Sequence, residues 1–160
     1  MIKSTDRQVV PNVYMALSCI YNPKYNPEKA LTVAGLVHQA MPVLYKILNV
    51  KPGVKVRVGP IKSKTMNGRY YSHARTIDID HRMPLDKIMQ TLAHEMVHAE
   101  QYDQGRLAWN GRVQFWHGTA HHSKATTYNA YRALPWEAEA FDRQAGLADQ
   151  VWAELGWKPE

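Results

Sequence analysis

Cysteine is almost absent from this chain of 160 residues, where Cys19 stands alone. An internal disulfide is therefore excluded, and so is a zinc ribbon, which needs several thiolates. Any metal must be held by histidines and carboxylates. Long apolar runs are also missing, and no stretch reaches the roughly 20 residues that a membrane-spanning helix needs. The first residues carry Asp6 and Arg7 where a signal peptide would have an unbroken apolar segment. These absences lead to the expectation of a soluble, cytoplasmic protein without a membrane partner. The chain contains no repeat and no low-complexity tract, and its 45% hydrophobic and 21% charged residues are ordinary globular values. The length suits one core and is short for two, so a single domain over residues 1–160 is expected.

Acid is scarce relative to base. The net charge is +6 and the pI about 9.4, which favours an acidic partner such as nucleic acid, although a solvated surface of Lys and Arg accounts for the same excess.

What the chain does contain is a run from Thr91 to Gln101 in which His94, Glu95 and His98 spell H-E-x-x-H. Four residues along a helix climb about 6 Å and return close to the same angle, so both imidazoles leave one face side by side. Two ligands on one zinc ion need that geometry, and Glu95 is placed to act on the water that such a zinc acidifies without being a ligand itself. Leu85, Ile88, Met89, Leu92 and Met96 form a separate apolar stripe for the core. The two histidines fall outside it, which predicts a helix flanked on both sides. An amphipathic helix with two incidental histidines is the plainer alternative.

Around this helix the pattern predicts an α+β chain. Val9 to Tyr21 has no clear period and reads as a short helix or strand. Asn26-Pro27-Glu28 starts a helix that Pro42 should kink or divide and Lys51-Pro52-Gly53 should end. Val54, Val56 and Val58 alternate with Lys55 and Arg57 as a strand. Asn67-Gly68 reads as a hairpin turn before a strand from Arg69 to His73, and Ile77 to Asp80 forms a third strand leading into the histidine helix. Gly105 should stop that helix. Asn110-Gly111 suggests a hairpin joining Arg106–Trp109 to Arg112–Trp116, within an insertion over the front of the site. From Pro135 a last helix carries Phe141, Ala145, Ala148, Trp152 and Leu155 at helical spacing.

A catalytic zinc normally takes three protein ligands and keeps one open position, so a third ligand must lie elsewhere. A third His six residues after His98 is ruled out because position 104 is Gln104. Glu137, Glu139 and His117 are the candidates, with His121 and His122 behind. Residues two apart on a helix point about 200° away from each other, so only one of the glutamates can face the metal. Glu137 lies one turn before Phe141 on the apolar side and is favoured, because a carboxylate there needs a partner. Glu139 shares its side with Asp142, Arg143 and Asp149. Capping of the last helix by Glu137, and a surface loop position for His117, are the structural alternatives.

Leu92-Ala93-His94-Glu95-Met96-Val97-His98-Ala99 resembles the active helix of SprT-like zinc metallopeptidases and of small phage and bacterial metallopeptidases. Trp116-His117-Gly118 and Tyr131-Arg132-Ala133-Leu134-Pro135-Trp136-Glu137-Ala138-Glu139-Ala140 resemble the W-x-G and P-W-E-x-E-A signatures of the phage-type group. The resemblance covers roughly residues 91 to 141. It implies a minimal zincin-like fold: a small, mainly antiparallel sheet packed on the active helix, with a C-terminal helix closing the site. SprT-like enzymes take their third His from a segment resembling H-G-x-x-F, whereas His117-Gly118 is followed here by Thr119, Ala120 and His121. Zincins with a third Glu often have Asp or Asn four residues later, and here that position is Phe141.

The expected activity is hydrolysis of a protein or peptide substrate, with Zn2+ held by His94, His98 and Glu137 and with Glu95 as general base. Tyr128, Tyr131 and His121 are candidates for stabilising the oxyanion. The strand Ile77 to Asp80 is a candidate for pairing with an extended substrate. The alternative is a basic, metal-stabilised module that binds nucleic acid or a host protein without catalysis.

Overall fold

A computed structural model describes residues 12–122 and 124–160. The chain is α+β, with helices and two small sheets. Residues 9–11 of the ambiguous N-terminal stretch lie outside the described part. The remainder uses both expected forms in turn, a strand β1 (Asn12–Met15) and then a short helix α1 (Leu17–Tyr21). Helix α2 (Pro27–Ile47) starts as its sequence predicts: the Asn26 side chain accepts from the Lys29 N–H, and Pro27 occupies the first turn. Pro42 does not divide it, and the helix continues for a further turn to Ile47.

Strand β2 (Lys55–Gly59) follows, then β3 (Gly68–Tyr71) and β4 (Thr76–Asp80). The sheet order is β1-β2-β4-β3. Strand β2 runs parallel to both β1 and β4, and only β3 is antiparallel. The sheet beside the histidine helix is thus mixed rather than mainly antiparallel, because the link through α2 returns the chain in the same direction. Nor is Asn67-Gly68 a hairpin turn. The hairpin lies at residues 72–75, where Arg75 takes a positive φ, and Gly68 is the first residue of β3. Its glycine has a packing reason: a Cβ there would lie 2.5 Å from Cγ2 of Thr91 and 3.3 Å from Cγ of Glu95.

Alternation along the strands separates two faces. Val56, Val58, Ile77 and Ile79 are fully buried against the helices, while Tyr14, Arg57, Asp78 and Arg69 share one cross-strand row on the other face. Helix α3 (Leu85–Asp103) buries Ile88, Met89, Leu92 and Met96 in the same core, and each such side chain contributes about 1.5–3 kcal/mol. Gly105, at φ +71°, turns the chain just beyond its end.

A second sheet of β5 (Leu107–Trp109), β6 (Gln114–Trp116) and β7 (Thr119–His121) is antiparallel throughout. The Asn110 side chain accepts from the N–H groups of Arg112 and Val113 and closes the expected first turn. His117-Gly118, both at positive φ, makes a second turn and adds a strand that the sequence did not announce. A short α4 (Tyr128–Arg132) leads to α5 (Pro135–Leu155), which packs mainly along α3. The buried stripe of α5 runs through Trp136, Glu137, Ala140, Leu147, Ala148, Val151 and Trp152. It is rotated from the expected one: Ala145 is exposed and Phe141 half-buried, while Ala140 is fully buried. Among the described residues, no helix is long and apolar enough to cross a membrane.

Candidate metal centre

His94 and His98 project from the face of α3 opposite its core stripe, and α5 covers them. The first turn of α5 brings Glu137 to both rings. One carboxylate oxygen lies 3.0 Å from Nε2 of His94, the other 3.3 Å from Nε2 of His98, and the two Nε2 atoms are 3.2 Å apart. All three residues are buried. Glu137 makes no capping bond at the start of α5, whose N-cap, Leu134, has none from any side chain. Its carboxylate is directed at the imidazoles and not at its own helix.

The opposite edges of the rings fix the chemistry. Nδ1 of His98 lies 2.9 Å from Oε1 of Gln101, whose amide group donates to the Trp136 carbonyl and to Glu139. Both of those partners only accept, so the Gln101 oxygen must face His98 and Nδ1 must carry the hydrogen. Nδ1 of His94 makes the same kind of bond, 2.9 Å to Oε1 of Gln144. Each Nε2 therefore turns a lone pair inward, beside a carboxylate that also only accepts. Three mutually facing acceptors need a cation between them. In the metal-free molecule a proton serves: burial opposes it, but hydrogen bonding to Glu137 and the Glu95 charge push His98 up to about 9. For Glu137 burial is likewise outweighed, by hydrogen bonds to His94 and His98, and its carboxyl falls to about 2. Among the described residues this is the group of side chains that can hold a metal ion, and its donors and their tautomers fit one.

The other candidates do different work. Glu139 does not reach the centre; it accepts from Gln101 at 2.7 Å and from Arg106 at 2.7 Å, and Arg143 lies 3.3 Å away. Burial opposes its ionisation, but the bonds from Arg106 and Gln101 outweigh that and hold its carboxyl below the usual value. It is a support for Gln101. His117 is exposed in the β6–β7 turn, with its ring stacked edgewise on Trp116 at 4.7 Å. His121 packs against Trp136 at 5.2 Å, and His122 is exposed. Phe141 covers the His94 ring at 4.7 Å, and the hydrogen bond expected from the residue four after Glu137 comes from Gln144 instead.

Glu95 is buried but lines a cleft of about 450 Å³, together with His94, Gly68, Tyr128, Tyr131 and Phe141. Burial raises its pKa first of all, with the histidine charges and the Tyr70 main chain working against that. Burial and the nearby Glu137 charge also raise the pKa of Tyr131, which stays protonated and remains a donor. Strand β4 cannot pair with a substrate, because β2 and β3 occupy both of its sides. The outer edge belongs to β3. Asn67 accepts from the N–H of Asp80, so by alternation the main-chain groups of Gly68 and Tyr70 turn outward, next to Glu95.

Sequence reasoning missed Gln101 and Gln144. Spacing offered a signal: Gln101 lies three residues after His98, and Gln144 lies seven after Glu137, on the same helical face in each case. The chain matches no protein-family model, no curated protein and no solved structure. The functional reading rests on the chemistry of the site.

Proposed function

We propose that the chain is a zinc-dependent metallopeptidase that hydrolyses peptide bonds in a protein or peptide substrate. The observation that carries this reading is the buried His94, His98 and Glu137 group with both Nδ1 atoms tied, open on one side to a cleft that holds a non-ligating carboxylate. Two imidazoles and a carboxylate suit zinc, whose bonds of about 2.0–2.1 Å in a tetrahedron require donors about 3.3 Å apart. The observed separations of 3.0, 3.2 and 3.3 Å support that choice. Zinc bound there would polarise a carbonyl and lower the pKa of water.

The protein's own groups then divide the work. Glu95 takes the proton from the attacking water and delivers it to the nitrogen of the leaving amine as the C–N bond breaks. Its buried setting strengthens its basicity for this task. The Tyr131 hydroxyl, protonated and in the same cleft, donates to the developing oxyanion. An extended substrate pairs with the free edge of β3, where Gly68 presents its main chain beside Glu95. Glu95→Gln tests the assignment. The variant should keep one zinc per chain by elemental analysis and lose about 100-fold or more of its hydrolysis of an unfolded protein substrate. Loss of the metal in that variant, or retained hydrolysis, would refute the role of Glu95.

A further inference from the structure

Among the described residues, one face of the four-stranded sheet packs on the helices and the other does not. No acidic residue occurs between Glu28 and Asp78, and Lys55, Arg57, Lys62, Lys64 and Arg69 all fall in that stretch. Strand alternation and the loop 60–67 bring these cations together on or beside the open face. Arg57, Lys62 and Lys64 line a second cleft, of about 880 Å³, at the carboxyl ends of β2 and β4, and Lys55 and Arg69 lie on the strands outside it. Its two acids are already engaged. Asp78 receives a two-pronged bond from Arg57, at 2.9 and 2.5 Å, and Asp80 one from Arg82, at 2.9 and 2.7 Å. Among the described residues, Lys55, Lys62, Lys64 and Arg69 make no ion pair, so their charge is open to an anion. Aromatic rings lie among them. Tyr14 shares the cross-strand row of Arg57 and is 42% exposed, and the Arg69 guanidinium lies 4.8 Å from the centre of the Tyr71 ring.

We propose that this open sheet face and its cleft form a binding surface for single-stranded nucleic acid. Phosphates meet the four uncommitted cations, and unstacked bases meet Tyr14 and Tyr71. A duplex keeps its bases stacked inside a convex cylinder, so it leaves both the tyrosines and the recess unused. An acidic peptide satisfies the cations but brings no flat rings to the tyrosines. Met66 and Asn67 line both this cleft and that of Glu95, but none of the four cations and neither tyrosine lines the Glu95 cleft, so the surface makes no use of the metal centre.

The test is the fluorescence anisotropy of a labelled oligothymidylate, titrated with the full chain across a sodium chloride series. Four phosphate contacts predict a log–log salt slope of about −3. The double variant Lys62→Glu/Lys64→Glu should weaken binding about tenfold or more and flatten the slope by about 1.4. Tyr14→Ala should weaken binding about fivefold or more with the slope unchanged. Lys46→Glu/Lys158→Glu, on the helical side, should bind as the unaltered chain does, as should Glu95→Gln, and melting curves confirm that each variant folds. Absence of binding at the lowest salt overturns the proposal. So does equal weakening by the two double variants, which indicates diffuse charge. Displacement by oligoglutamate as effective as by unlabelled oligothymidylate also overturns it, in favour of an acidic peptide.

Discussion

Replacing Gln101 by Leu should loosen the metal without touching any atom that binds it. Gln101 is fully buried and spends its amide on three partners: Nδ1 of His98 at 2.9 Å, the Trp136 carbonyl at 3.0 Å and Glu139 at 2.7 Å. Leucine fills a similar volume and offers none of these bonds, so the His98 ring loses the acceptor that fixes its tautomer and its angle. Outer partners of this kind are worth about 10–100-fold in metal affinity, or about 1.4–2.7 kcal/mol. With free zinc well above both dissociation constants, the same energy leaves the stabilisation conferred by zinc. For a chain of this size that is about 3–11 °C of melting temperature. The informative quantity is the zinc-induced shift, melting in zinc minus melting in chelator, because the metal-free variant is also weakened by the loss of these buried hydrogen bonds. A competition titration against a chromogenic chelator gives the affinity directly. An unchanged affinity together with an unchanged zinc-induced shift would refute the claim that Gln101 holds His98 ready for a metal.

Other perturbations separate the remaining roles. Glu137→Ala should lose stoichiometric zinc, whereas His117→Ala, altered in an exposed turn, should retain it, as elemental analysis will show. Gly68→Ala places a methyl 2.5 Å from Cγ2 of Thr91, an overpacking of about 1–3 kcal/mol readable as a lowered melting temperature. Adding Thr91→Ser removes that methyl group and should recover most of the loss; no recovery would mean that the contact is not the cause. In chelator, the His98–Glu137 pair gives the metal-free protein a defined pH response. The His98 pKa is raised from 6.5 to about 9, so its contribution is full below 6.5 and disappears as pH rises through 9. The Glu137 pKa is lowered from 4.5 to about 2, so its contribution is present above 4.5 and disappears as pH falls through 2. The melting-temperature difference between wild type and Glu137→Gln should therefore be greatest between pH 4.5 and 6.5, and a flat difference would contradict the pairing.

The parts of the site that a helix generates locally were legible before any fold was known. His94 and His98 share a face because their spacing says so, and Glu137 separates from Glu139 because two residues on a helix point apart. Sheet order was not legible. Asn67-Gly68 has the composition of a tight turn, yet the glycine answers to Thr91 and Glu95 on α3, a contact between distant parts of the sequence. Likewise Ile77 to Asp80 alternates as a half-buried strand whether it lies at the edge or, as here, between two neighbours. Gln101 and Gln144 escaped because an amide has no chemistry of its own to advertise. Their role exists only once a ring nitrogen faces them.

The donors of the centre are split between two helices, and that division makes a complete donor set depend on their docking. Both imidazoles come from α3, but the carboxylate arrives 39 residues later, at position 137 against 98, after the whole β5–β7 excursion and α4. A chain that has folded only as far as α3 presents two neutral rings and holds a transition metal weakly. Full affinity waits for α5 to dock, and Gln144, a further two turns along, orients the first ring only then. A metal held at full affinity would thus report that the final helix is in place.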